Sequence, residues 1–132
     1  MWDAMTGKEL LSFKAHDGEA LCVAFSNDGK RLVSGGGASE VKVWDAGNGQ
    51  QVLSLKGHEG WMRNVAFRSD DKSLASGDGK GTLKIWDAMT GKEILSLKGD
   101  SEYVYCLVLS PSGKHLACGG TNKTVKVWRL DK

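Results

Sequence analysis

Two serine–histidine pairs stand at one separation: His16 with Ser34, and His58 with Ser76. A hydroxyl beside an imidazole is the pairing of nucleophilic catalysis, where the ring takes the hydroxyl proton and an acid orients the ring. Both serines lie inside strand-like runs, however, and not at an exposed turn. His16, His58 and His115 are the only imidazoles for a metal, but His115 is a turn residue that shares no pattern with the other two, so no metal centre is expected. Gly77-Asp78-Gly79-Lys80-Gly81 and Gly35-Gly36-Gly37 resemble phosphate loops. Neither has the P-loop spacing or leads into a helical pattern, so both read as turns and no cofactor is expected. Cys22, Cys106 and Cys118 lack metal-ligand spacing and sit in apolar runs. They read as small buried residues of a reducing, cytoplasmic setting.

The elements that carry these residues recur. Trp2-Asp3, Trp44-Asp45 and Trp86-Asp87 are 42 residues apart, and Trp128 lies 42 further on. The string WDAMTGKE occurs at 2–9 and again, unchanged, at 86–93, and the middle copy reads WDAGNGQQ at 44–51. No insertion or deletion breaks the register. A fixed period in this range marks a stacked repeat architecture, in which one repeat cannot bury its apolar face alone. Each period reads as four short strands. In the middle one these are VLSLK at 52–56, NVAF at 64–67, SLAS at 73–76 and TLKIW at 82–86. The alternating runs suit half-buried strands, and NVAF, apolar on both sides, suits a strand between two sheets. Asn27-Asp28-Gly29-Lys30, Pro111-Ser112-Gly113-Lys114 and the pairs Thr6-Gly7, Asn48-Gly49 and Thr90-Gly91 supply turn chemistry. In the second repeat Asp70-Asp71-Lys72 replaces the glycine turn, and Asp tolerates the left-handed conformation at some cost.

Composition narrows the function classes. The chain has 132 residues, 40% hydrophobic and 26% charged, with net charge +2. This is a single globular domain by length and balance. The charge is too small to argue for nucleic acid, and the lysines read as a solvated rim. No run approaches the roughly 18 apolar residues that span a bilayer, and the polar start MWDAMTGKE lacks a signal peptide's apolar core. Neither nucleic acid nor membrane is therefore an expected partner.

Gly57-His58, Ser76-Gly77 and Leu83-Lys84-Ile85-Trp86-Asp87, in order and in three phased copies, resemble the WD-repeat β-propeller family over essentially the whole chain. The resemblance implies an all-β fold in which four-stranded blades surround a central channel. It divides residues 1–132 into repeats at about 3–45, 46–87 and 88–129. It also implies that each repeat runs outermost strand first, then innermost, second and third. The family holds each blade with a Trp, Ser or Thr, His and Asp tetrad, the Asp six residues before the Trp. On that pattern Trp44, Ser34 and His16 serve one blade, with Ala38 in the Asp place. Trp86, Ser76 and His58 serve the next, with Lys80 in the Asp place. Trp128 keeps its place in the third, beside Cys118, Asp100 and Asn122. No blade has the full network, although Asp78 lies two residues from the empty place. An empty acid place also argues against a catalytic triad.

Three blades leave two open ends, each with an apolar sheet face and an unpaired strand edge, and such edges invite pairing. The expectation is a head-to-tail closed homo-oligomer. A homodimer of six blades is favoured over a homotrimer of nine, since propellers typically have four to eight. The chain ends on a third strand, so its last blade lacks an outer strand. Residues 9–14 of a neighbour should supply it, with Leu11 and Phe13 meeting Val125 and Val127 at the seam. Trp2 and Trp128 fall in one column; Trp128 should hold it, leaving residues 1–4 displaced or frayed. The loop after the histidine column varies most, and in the family it faces the broad binding surface. Glu19, Trp61 and Tyr103 share one column there, and Leu21, Arg63 and Tyr105 another. Trp61, Arg63, Tyr103 and Tyr105 are the residues expected to bind protein or peptide partners, since aromatics and Arg anchor interfaces; packing of these rings over the channel is the competing reading. The loop acids Asp17, Glu19, Glu59 and Glu102 are scattered and unpaired. The function expected is a non-enzymatic interaction scaffold. The alternatives are a recently amplified or engineered propeller fragment without a ligand, and a propeller enzyme with a channel site.

Overall fold

The computed structural model describes residues 1–98, 104–120 and 123–130. The described residues form three antiparallel sheets and no helix. The first sheet has the order β1 (Ala20–Phe25), β2 (Arg31–Gly36), β3 (Val41–Asp45), β4 (Gln51–Leu55). The second repeats it with β5 (Met62–Phe67), β6 (Ser73–Asp78), β7 (Thr82–Asp87) and β8 (Glu93–Lys98). The third holds β9 (Val104–Leu109), β10 (His115–Gly120) and β11 (Val125–Arg129), with no fourth strand among the described residues. β4 and β8, which open the second and third repeats, are thus the outermost strands of the preceding blades, and β5 and β9 after them are innermost.

Turn chemistry fixes the corners. Gly29, Asp71 and Gly113 occupy one column and have φ of 73°, 58° and 73°. Asp71 therefore holds the left-handed conformation that glycine adopts in the other two blades. Its carboxylate accepts hydrogen bonds from the Asn27 and Asp28 backbone N–H groups (2.7 and 2.9 Å), so the residue also ties blade two to blade one.

The core lies between sheets. Val33, Val41, Val43 and Leu55 of blade one pack with Met62, Phe67, Leu74, Trp86 and Ala88 of blade two. One period on, Ala75, Leu83 and Ile85 of blade two pack with Val104, Leu107, Leu116 and Leu130 of blade three. Burying these strands costs little polar exposure, because each sheet's backbone groups are paired along its ladders.

Two expectations are corrected. Residues 1–4 are not frayed. Asp3 N–H donates to Lys8 O and Gly7 N–H to Asp3 O, both at 2.8 Å, and Trp2 bridges Glu9. The reason is turn chemistry: Asp3 accepts from Met5 and Thr6 N–H, as Asp87 does from Met89 and Thr90. Nor are all cysteines buried. Cys22 and Cys118 are half-buried and Cys106 is exposed, because its side of β9 has no sheet against it. Trp128 lies in β11, paired with Leu116, whereas Trp2 is exposed.

Candidate functional site

The serine–histidine pairs are internal braces. In blade two, Trp86 Nε1–H donates to Ser76 Oγ at 2.8 Å, and Ser76 Oγ lies 2.6 Å from His58 Nε2. His58 Nδ1 then meets Asp78 Oδ2 at 2.7 Å. This corrects the expectation that no blade has a full network: Asp78 completes it from two residues upstream of the usual place. The loop makes this possible, since Asp78 Oδ1 also accepts the Lys80 and Thr82 N–H groups at 2.8 and 3.0 Å. Burial raises the Asp78 pKa, but the hydrogen bonds from His58, Thr82 and Lys80 outweigh it and leave the carboxyl below its ordinary value. The sequence hid this role because spacing alone does not show which way a glycine-flanked turn folds.

Blade one builds the same chain only as far as the ring. Trp44 Nε1–H donates to Ser34 Oγ at 2.8 Å, and Ser34 Oγ lies 2.9 Å from His16 Nε2. His16 Nδ1 is buried with no partner. The column of Asp78 holds Gly36 here, and a Cβ at Gly36 would lie 2.7 Å from His16 Cγ, so the ring occupies the space an acid would need. Burial, then the Lys42 charge, lowers the His16 pKa. In blade three, Cys118 takes the serine register opposite Lys126, and Trp128 is half-buried beside the second core cluster. Asp100 and Asn122 lie outside the described residues.

The constellation Ser76–His58–Asp78 has the connectivity of a catalytic triad, so the empty acid place no longer argues against one. Access does. Ser76 is 0% exposed and its oxygen already accepts the Trp86 indole proton, leaving no approach for a substrate carbonyl. His115 is exposed at the start of β10, apart from both braces. Among the described residues no group of three or more His, Cys, Asp or Glu could hold a metal ion.

Each inner strand begins with a bulge. The register shifts between Ala20 and Cys22, between Met62 and Asn64, and opposite Gly119 and Gly120. Leu21, Arg63 and Tyr105 are the residues skipped. A bulge re-aims the extra side chain. In blade two it leaves Met62 fully buried while Trp61 and Arg63 are both exposed, the guanidinium 6.0 Å from the indole centroid. Tyr103 lies outside the described residues, and only the backbone register of Tyr105 is described.

Residues 9–14, expected to pair with a neighbour, meet residues 1–2 of their own chain: Leu10 N–H donates to Met1 O at 2.8 Å, and Trp2 bridges Glu9. Leu11 is half-buried, and the Phe13 ring lies 4.7 Å from that of Trp44. Both side chains also approach Gly49, as Leu53 and Leu55 approach Gly91 one period later. The segment therefore sits on blade one as β4 sits on blade two. Val125 and Val127, in the columns of the buried Leu83 and Ile85, are exposed.

No match is found among curated proteins. The family model for the WD domain, G-beta repeat, matches residues 7–45, 49–87 and 91–129. With three phased matches over most of its length and three blade-like sheets, the chain belongs to the WD-repeat family.

Proposed function

We propose that this chain is a non-enzymatic protein-interaction scaffold whose blades close head to tail with those of a second copy, giving six. One observation carries the reading: columns buried between blades are bare on the outer blades. Phe67 is 7% exposed, but Phe25 in its column is 54% exposed. Leu83 and Ile85 are 0% and 6% exposed, but Val125 and Val127 are 74% and 63% exposed. The two bare faces are the two sides of one interface type, so a copy's blade three fits the other copy's blade one. Residues 9–14 are then the missing outer strand of the neighbour's blade three. By analogy with the internal pairs Val43 with Leu53 and Val41 with Leu55, Val127 would meet Leu11 and Val125 would meet Phe13. A homotrimer of nine blades uses the same contacts with a smaller turn per blade.

Native mass spectrometry tests this on the 14.2 kDa chain. A dimer is the expected species, and a monodisperse monomer overturns the assembly. The ligand face we assign to Trp61 and Arg63, with Tyr103 and Tyr105 in the same columns of blade three, and to protein or peptide partners. Exposure of a large aromatic beside a cation at a bulge supports this use. Peptide capture that Trp61→Ala and Arg63→Ala abolish is the expected result; capture unchanged by both moves the ligand elsewhere.

A further inference from the structure

Residues 1 and 2 stand three periods before residues 127 and 128, in the same columns. In the single chain residues 1 and 2 lie beside residues 9–11, as residues 43 and 44 lie beside Leu53 and Gln51. Met1 N donates to Leu11 O at 2.6 Å, Leu10 N–H donates to Met1 O at 2.8 Å, and Trp2 bridges Glu9. These are the edge groups of residues 9–11 that a neighbour's Val127 and Trp128 must reach. The Met1 side chain repeats the pattern. It packs on Leu32, Trp44 and Ala46, whereas Val43 shares a cluster with Leu74, Trp86 and Ala88, and Ile85 shares one with Leu116 and Leu130. Those three sets occupy the same columns. Met1 thus fills the socket on blade one that the next copy's Val127 would fill.

We propose that residues 1–8 are an intramolecular plug, a mimic of the end of β11 that must be displaced before a second copy of this chain can dock. The inference rests on the head-to-tail reading. The plug is a formed turn: Gly7 holds φ 73°, and Asp3 accepts from Met5 and Thr6 N–H at 2.8 and 3.0 Å. Its hold on the edge is short. It pairs residues 9–11 only, whereas β11 extends the ladder to Phe13 and covers its own exposed valines. The second copy therefore wins at sufficient concentration, and the plug sets that concentration. A plug closed about nine-tenths of the time weakens apparent affinity about tenfold, because only the open fraction binds.

The experiment compares dimer dissociation constants of three chains by sedimentation. These are the full chain, a chain lacking residues 1–4 (which leaves Met5 to initiate), and Asp3→Ala/Gly7→Val. The double variant opens the turn without removing Met1 and guards against misfolding of the truncated chain. Both variants are expected to dimerise about tenfold more tightly than the full chain and to associate faster. A full chain that dimerises with the same constant as both variants overturns the plug and leaves the head-to-tail reading standing. Three monomeric chains overturn the head-to-tail reading itself.

Discussion

A buried imidazole has two nitrogens to satisfy, and the two blades braced by a buried histidine differ in the second. His58 has Asp78 on its Nδ1; His16 has nothing. Replacing Asp78 with Ala should leave His58 in the state of His16. The expected loss is about 2 kcal/mol, the cost of a dry buried polar atom, read from the urea midpoint. The two sites also give stability two separate acid dependences. Burial holds the His16 pKa below the ordinary imidazole value of 6.5. The unfolded chain therefore binds more protons as pH falls through 6.5, and stability falls with it. Asp78 lies below 3.8, so its contribution is present above that pH and is lost as pH falls further, through the depressed folded value. Thermal melts should thus show one decline below about pH 6.5 that His16→Gln removes. A second, below about pH 4, should be removed by Asp78→Ala.

Among the elements, the bulge and the turn decide which side chains serve packing and which remain free. Trp61 and Met62 are adjacent, yet Trp61 is 56% exposed and Met62 0%. Met62→Ala should cost about 3 kcal/mol, as a large core truncation does, and Trp61→Ala under about 1 kcal/mol, as at an exposed position. A large loss at Trp61 in chemical unfolding would assign that ring to the core and count against the proposed binding role. The β5–β6 turn carries a similar division. Asp71→Gly relieves a left-handed residue, worth about 1 kcal/mol, but removes the acceptor of the Asn27 and Asp28 N–H bonds and of the Asn27 amide. The net change expected is a loss of about 1 kcal/mol, since three bonds to a charged acceptor outweigh the strain even on the surface. A gain in melting temperature would show that the clasp contributes nothing.

For the molecule as a whole, the bare faces of blades one and three are where the proposed closure is tested. Cys106 lies on the bare side of blade three, and Asn64, its counterpart in blade two, donates to Val104 O across an internal interface at 2.9 Å. Cys106 should therefore react readily with a thiol reagent in dilute, dissociated protein and be protected when the protein is concentrated. Cys22 reports on neither state: burial pushes its thiol up to about 11, and it should stay slow throughout. Phe13→Asp should abolish the concentration-dependent protection, because a carboxylate cannot replace the ring between Trp44 and the incoming strand. Labelling of Cys106 that is equally fast at all concentrations would count against closure through this face.

The amino-acid sequence by itself determined the period, the strands and the columns. Trp44, Ser34 and His16 were legible as a brace, and so were Trp86, Ser76 and His58, because a strand's two-residue alternation and the 42-residue repeat place each side chain on a known face. Turn residues were legible to the same degree: Asp3 and Gly7 repeat Asp45 and Gly49, and the turn they form overrides the fraying expected of a chain end. Three things were decided only by tertiary structure. Asp78 reaches His58 because a glycine-flanked turn folds inward, a conformation that residue spacing does not encode. Cys106 is exposed although Asn64 in its column is half-buried, because burial depends on whether another sheet stands opposite and not on the residue. Met1 fills the socket of Val127's column because an unpaired edge and an apolar hollow are satisfied by whatever segment the chain can bring to them.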